Sequence, residues 1–183
     1  MTEASLTYRW SREGFVRAWE AGAFDARVEY VEGEVVPVVI GDWHGLVTAS
    51  IVARLRHPTV TVTQSTLPAA GSLPDPDCWV RRRGAEPVGR VAPRLPEWNP
   101  DDVLLVVEVS DETVTFDLTT KARLYGSAGC ATYWVVTREA VYVHTEPTPD
   151  GYRHRTELRP GDLVRAPYLD ADLPVEALIA VES

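Results

Sequence analysis

The chain has 183 residues, of which 45% are hydrophobic and 25% charged, an ordinary composition for a globular protein with a buried core. The formal charge of −9 argues against a protein that coats nucleic acid nonspecifically, because neutralising phosphates needs a basic surface. It does not exclude a metal-dependent enzyme, because a bound cation restores positive charge among clustered carboxylates.

The sequence shows no targeting or membrane segment. The first residues, Met1 to Gly14, contain no apolar run of signal-peptide type, and no stretch reaches transmembrane length. We therefore predict a cytoplasmic protein that does not enter membranes and forms one domain over residues 1–183. Cys78 and Cys130 lie far apart without metal-ligand spacing, which favours two buried thiols over a disulfide.

The N-terminal third alternates between helix and strand patterns. Ser11 can cap a helix that ends near Ala21 and has Phe15, Val16 and Trp19 on its apolar face. A hairpin turn at Glu32-Gly33 joins two strands, and a helix and a third strand follow. The predicted ranges of these four elements are 27–30, 35–40, 42–55 and 59–64.

The rest of the chain adds further strands around one apolar run. Residues 84–100, with four prolines and two glycines, predict a flexible loop. The run 103–109 predicts a strand buried on both faces, and a helix should follow over 117–127. Further strands are predicted at 78–82, 132–136 and 140–144, with a hairpin at 150–151 and a short helix near 175–179. This order indicates an α/β or α+β fold with a mixed sheet.

Glu108 stands near the end of the apolar strand, where a carboxylate is costly unless it is paired, hydrogen-bonded or bound to a cation. Lys121 and Tyr125 share one face of the following helix, which can fold back over that strand end. A buried Glu108–Lys121 ion pair is the structural alternative, although such pairs add little stability for their desolvation cost. Lys121 is also the single lysine among 18 basic residues.

Asp77 is the second acidic candidate, because it lies at the start of the predicted strand 78–82. Asp75, two residues earlier, is better explained as a turn former. Two carboxylates from adjacent strands and a backbone oxygen suit Mg²⁺ or Mn²⁺, which could polarise a phosphodiester and activate water. A nearby ammonium could orient that water or offset the developing negative charge, and lysine suits this position because it is compact and can lose its proton.

A family resemblance joins these residues. The chain resembles the Uma-type restriction-endonuclease family of the PD-(D/E)XK nuclease superfamily. The matching positions are the segments 29–34, 108–110 and 133–136 together with Asp77, Asp117, Lys121, Tyr125 and Gly129. In this superfamily the lysine usually stands two residues after the glutamate, where this chain has Ser110, so the resemblance is to the variant whose lysine comes from the next helix.

The resemblance implies a restriction-endonuclease-like fold, a mixed central sheet flanked by helices, and hydrolysis of DNA phosphodiester bonds. It further implies that Asp77, Glu108 and the Val109 carbonyl hold the metal ion and that Lys121 is catalytic. Glu34 matches a glutamate that enters the site from the N-terminal region, although an exposed hairpin charge explains it equally well. His44 matches a polar position, although an ordinary surface or core histidine explains it better.

Three hypotheses remain open from the sequence. The first is a Mg²⁺-dependent DNA endonuclease, expected to be a homodimer because two strands are cut. The second is a catalytically silent binding or regulatory protein on a nuclease scaffold, and the third is a domain in which Glu108 and Lys121 form a core ion pair. A separate prediction is that Arg81, Arg82 and Arg83 help hold a phosphate backbone, against the simpler interpretation of a solvated face.

Overall fold

The computed structural model describes residues 8–180. Its helices are α1 (Arg12–Glu20), α2 (Asp42–Arg54), α3 (Val114–Phe116), α4 (Ala122–Ser127) and α5 (Glu176–Ile179). Its strands are β1 (Val28–Val31), β2 (Glu34–Pro37), β3 (Val60–Thr63), β4 (Cys78–Arg82), β5 (Gly89–Ala92), β6 (Leu95–Glu97), β7 (Val103–Val109), β8 (Thr132–Val136), β9 (Val141–Thr148), β10 (Gly151–Leu158), β11 (Leu163–Val164) and β12 (Leu173–Pro174).

The central sheet has six strands in the order β10-β9-β8-β7-β4-β3. The β7–β8 pair is parallel, and the other neighbouring pairs are antiparallel. The parallel pair needs a crossover, which the chain makes through α3, a π-helical turn (Asp117–Lys121) and α4. The predicted mixed sheet with flanking helices is therefore confirmed.

Strand β7 is buried on both faces, as its apolar run predicts. Leu105, Val107 and Val109 pack in the core under α2 and α5, whereas Val106 packs in a second core under α4. The two-residue period places the side chain of Glu108 on the same face as Val106, and therefore under the crossover helix. The strand pattern thus brings a carboxylate to the side of the sheet from which the helix approaches.

Two short hairpins outside the central sheet, β1–β2 and β5–β6, pack with α1 in a small core. In the first, β1 pairs with β2 around the turn at Glu32 and Gly33, both of which have positive φ. Tyr30 joins this hairpin to Leu73 through an isolated bridge that precedes β4. The second hairpin, β5–β6, corrects a prediction, because residues 84–100 are not a simple loop. Ala92 and Leu95 are buried in a small core with Phe15 and Tyr30, and this tertiary packing outweighs the local proline content.

The remaining differences are local. The crossover helix begins at Val114 rather than Asp117, and its π turn places both Asp117 and Lys121 in buried positions. Trp19 is 36% exposed, so it does not belong to the buried face of α1. Cys78 and Cys130 are buried free thiols, as predicted. Within residues 8–180, no helix is long and apolar enough to cross a membrane.

Candidate active site

A cavity of about 420 Å³ lies at the end of β7. Its lining comes from β1, from β2 and the segment that leads into α2, from the first turn of α2, from the segment before β4, from the end of β7 with the turn that follows it, and from α3 with the π turn. Seven carboxylates and one ammonium group line it. The sequence candidates Asp77, Glu108, Val109 and Lys121 are all in this lining.

Glu108 and Lys121 meet in the wall of the cavity. The Lys121 Nζ lies 2.9 Å from Oε1 of Glu108, and the Tyr125 hydroxyl donates to the same oxygen at 2.9 Å. Glu108 is only 4% exposed and Lys121 5%. The four-residue spacing of Lys121 and Tyr125 therefore places both donors on one carboxylate oxygen, as the helical period predicts.

Glu29 is a member of the site that the sequence interpretation missed. Its Oε1 lies 3.0 Å from the Lys121 Nζ, and its Oε2 accepts a hydrogen bond from the backbone N–H of Asp75 at 2.9 Å. The alternation of side chains along a strand could have identified Glu29, because it stands two residues before the buried Val31 and shares its face of β1. A carboxylate on such a face needs a partner, and Lys121 supplies it.

Glu34 was predicted at this N-terminal position and does not occupy it. It is the first residue of β2, next to the hairpin turn, and its carboxylate is 59% exposed and lies 3.4 Å from Arg9. The cavity lining does not include it. The prediction was wrong because the turn at Glu32-Gly33 sends Glu34 away from the site and leaves Glu29 beside Lys121.

Asp77 is held by two donors from different elements. The backbone N–H of Val109 donates to its Oδ2 at 2.7 Å, across the antiparallel pair of β4 and β7. The His44 Nε2 lies 2.9 Å from its Oδ1. His44 belongs to α2 and lines the cavity, so it is neither a surface histidine nor one enclosed in the core. Asp77 therefore points from the start of β4 to the end of β7.

Asp117 fixes the start of the crossover helix to the end of β7. Its Oδ2 accepts hydrogen bonds from the hydroxyls of Ser110 and Thr113, each at 2.6 Å. Its Oδ1 is 3.9 Å from Lys121 Nζ, beyond hydrogen-bond distance. Ser110, which stands where the superfamily usually has its lysine, thus holds the turn that delivers Lys121 instead. A π turn is a common device at functional sites for this kind of placement.

The pKa values of Glu108 and Lys121 depend on burial and on the charges of their neighbours. Burial raises the pKa of Glu108 well above its ordinary value, and the neighbouring carboxylates raise it further against the opposing charge of Lys121. Burial alone would lower the pKa of Lys121, but the charges of Glu108, Glu29 and Asp117 outweigh it and raise that pKa. The surrounding carboxylates therefore favour the charged form of Lys121.

Arg81, Arg82 and Arg83 lie at the opposite end of β4 from Asp77. The guanidinium of Arg81 lies 4.2 Å from the centre of the Trp98 ring, and that of Arg82 lies 3.8 Å from Asp102. Arg83 donates to the backbone carbonyls of Pro58 at 2.6 Å and Val60 at 3.0 Å. These contacts favour a structural role for the run over the predicted contact with a phosphate backbone.

The chemistry of the donor set fits a hard cation. No three His, Cys, Asp or Glu residues within the described part of the chain are grouped to hold a metal ion. Mg²⁺ does not need such a group, because it commonly binds through one or two carboxylates and keeps several waters. Asp77 and Glu108 line the same cavity, and each carboxylate has lone pairs beyond those used by its protein donors.

Comparisons with known proteins identify the family and the fold of this chain. A family model described as "Uma2: Putative restriction endonuclease" matches residues 15–176. The crystal structure of a protein from Anabaena variabilis, described as a putative nuclease belonging to DUF820, superposes with a TM-score of 0.66. The two chains are 13% identical, and the match covers 93% of this chain and 97% of the other, so the similarity concerns the fold. No curated protein matches the chain.

Proposed function

Because the chain belongs to the Uma2 restriction-endonuclease family, we propose that it is a divalent-metal-dependent endonuclease that hydrolyses phosphodiester bonds in DNA. The observation that carries the proposal is the meeting of Asp77, Glu108 and the only lysine of the chain in one cavity. Asp77 directly precedes β4, Glu108 lies on β7, and Lys121 ends the π turn of the crossover helix.

Asp77, Glu108 and the carbonyl of Val109 would hold the metal ion, with Mg²⁺ or Mn²⁺ matching their oxygen donors. The bound ion would polarise the phosphate and lower the pKa of a coordinated water. His44 and the Val109 N–H fix the orientation of Asp77, and Tyr125 fixes that of Glu108. The protein thus holds its metal-binding carboxylates in place before substrate arrives.

Lys121 would act by its charge and its hydrogen bonds. An ammonium has three N–H donors, and Glu108 and Glu29 use two of them. Asp117 is too distant to accept the third, which is therefore available for an oxygen of the reacting phosphate or for the attacking water. Its charge would stabilise the negative charge that develops in the transition state, and its free N–H would orient the attacking water.

The alternative is a nuclease-fold protein that binds DNA without cutting it. One observation favours it, because Glu108 and Glu29 already engage the ammonium of Lys121. The homodimer expected from the sequence also remains a prediction, because the structure contains one chain.

Plasmid nicking with Mg²⁺ or Mn²⁺ tests the proposal. The wild type should convert supercoiled plasmid to open circles, and chelation should stop it. Glu108→Ala and Lys121→Ala should each reduce the rate by about 10²–10³-fold, as loss of one group that stabilises transition-state charge typically does. Glu34→Ala is the matched control, because it removes an exposed glutamate that does not line the cavity. This variant should nick plasmid at the wild-type rate. Nicking that survives in Glu108→Ala and Lys121→Ala would refute the proposed roles, and DNA binding without nicking would support the alternative.

A further inference from the structure

Beside the active-site cavity lies a second depression of about 520 Å³. We call it the side groove and define it by Trp19, Arg27, Gln64, Ser65, Thr66 and Arg94. Asp75 lines both the side groove and the cavity, so the two are adjacent. The tip of the β5–β6 hairpin contributes Arg94, and the segment after β3 contributes the amide and hydroxyl side chains.

The two depressions have opposite charge. The cavity is lined by seven carboxylates and one ammonium, so it repels an approaching polyanion until a cation is bound. The side groove carries two guanidinium groups and one carboxylate, and that carboxylate, Asp75, is already bound to Arg27 at 2.6 Å. A DNA strand whose scissile phosphate enters the cavity would find favourable charge in the adjacent side groove.

We propose that the side groove binds the sugar–phosphate backbone of the DNA strand next to the scissile phosphate, with Arg27 and Arg94 as its phosphate contacts. This inference rests on the proposed function and adds the surface that positions the substrate. Arg27 uses its Nε on Asp75 while its side chain remains 45% exposed, so other N–H groups of its guanidinium are available. Arg94 is exposed, and no hydrogen bond or ion pair joins its side chain to another residue between 8 and 180.

A chain of contacts connects the side groove to Lys121. Arg27 binds the Asp75 carboxylate, the Asp75 backbone N–H binds Glu29, and Glu29 binds the Lys121 ammonium at 3.0 Å. A phosphate on Arg27 would consequently be held at a fixed distance from the catalytic ammonium. Such a fixed distance would align one particular phosphodiester bond with the active site for hydrolysis.

The walls of the side groove suit the rest of a nucleotide. The partly exposed indole of Trp19 offers a flat apolar surface for a sugar or a base. Gln64, Ser65 and Thr66 supply neutral donors of the kind that position a DNA backbone without reading its sequence. The predicted contact is therefore independent of base identity and sensitive to salt.

Fluorescence anisotropy with a labelled DNA duplex tests the inference. Ca²⁺ replaces Mg²⁺, so that the cavity carboxylates are neutralised while looser coordination disfavours turnover. Arg94→Ala should raise the Kd about five- to tenfold and reduce the slope of log Kd against log salt by about 0.9. Arg27→Gln should do the same, and Trp19→Ala should weaken binding without changing the slope. Arg155→Ala is the matched control, because that exposed arginine lies on β10 at the other edge of the sheet.

The outcomes separate this inference from the proposed function. If Arg94→Ala and Arg27→Gln both keep the wild-type Kd and salt slope while plasmid nicking stays intact, the result would refute DNA binding by the side groove and leave the proposed hydrolysis standing. If Arg94→Ala and Arg27→Gln weaken DNA binding but the wild type never nicks plasmid, the result would support DNA binding by the side groove and refute hydrolysis. A wild type that binds no DNA would overturn both.

Discussion

The two ends of strand β4 hold charged side chains in different ways. At the Asp77 end, carboxylates from β1, the segment before β4, β7 and the crossover helix converge on one cavity with one buried ammonium. At the Arg83 end, guanidinium groups bind backbone carbonyls, an aromatic ring and a half-buried aspartate. The first end concentrates charge that the fold does not neutralise, whereas the second distributes its charge among local partners.

This difference matches the proposed function, in which the buried carboxylates serve chemistry and the arginine contacts serve stability. Buried ion pairs contribute little net stability because their desolvation cost offsets their attraction. Hydrogen bonds from a charged group to backbone carbonyls at the surface lose less hydration and add a modest gain. We therefore expect changes at the Asp77 end to affect turnover and changes at the Arg83 end to affect folding.

His144 offers a third case, a titratable side chain that is buried away from the cavity. It lies on β9 against Tyr133 and Tyr152, and its Nδ1 has no hydrogen-bond partner. Burial lowers its pKa to about 4; the nearby charge of Arg155 adds to this shift, and a hydrogen bond with the Tyr133 backbone opposes it. Unlike the site carboxylates, His144 has no opposite charge to offset a buried proton.

The expected result for His144 is a loss of stability in acid. The unfolded chain takes up the proton near pH 6.5 and the folded chain only near pH 4, so the free energy of unfolding falls as the pH drops through this window. The histidine should contribute a loss of about 2 kcal/mol, because partial solvation reduces the full effect. Urea unfolding of wild type and His144→Gln between pH 7 and pH 4 measures it.

The control for this prediction is His154→Gln, which changes an exposed histidine on the neighbouring strand β10. Its acid profile should follow the wild type, whereas that of His144→Gln should be flatter. Parallel profiles for wild type and His144→Gln would contradict the prediction.

Arg83→Ala should have a smaller effect, about 1 kcal/mol of lost stability, because it removes the hydrogen bonds to the Pro58 and Val60 carbonyls. Arg82→Ala is the matched change at the adjacent position. Its single contact with Asp102 is longer and exposed, so the loss should stay below about 0.5 kcal/mol. Chemical denaturation gives both values, and plasmid nicking should be unchanged in each. An equal stability loss in Arg82→Ala and Arg83→Ala would contradict the expected difference between the Arg83 hydrogen bonds and the Arg82 ion pair.

The sequence predicts most of the sheet and much of the site. The apolar run at β7 and the four-residue spacing of Lys121 and Tyr125 suffice to place Glu108 beneath the crossover helix. Asp77 is also predictable, because a turn followed by a strand sets its position at a strand end. These features depend on local periodicity, which a single sequence displays directly.

Other features depend on contacts between distant segments. Glu29 and Glu34 lie on the two strands of one hairpin. Its turn at Glu32-Gly33 and its docking through Tyr30 and Leu73 together place Glu29, and not Glu34, beside Lys121. The β5–β6 hairpin similarly owes its order to Ala92 and Leu95 packing near α1, against a local composition typical of a loop. From the sequence, the run Arg81 to Arg83 resembles a phosphate-binding surface, because its intramolecular partners come from distant segments of the chain.

The most direct test of the central claim compares turnover with stability when the charged cluster is made neutral. The triple variant Glu29→Gln/Glu108→Gln/Lys121→Met replaces the three buried charges with neutral side chains of similar size. We predict that its plasmid nicking falls at least 10²-fold while its free energy of unfolding stays within about 2 kcal/mol of wild type or rises. A triple variant that nicks plasmid at the wild-type rate would show that the cluster is a structural ion pair and would contradict the account.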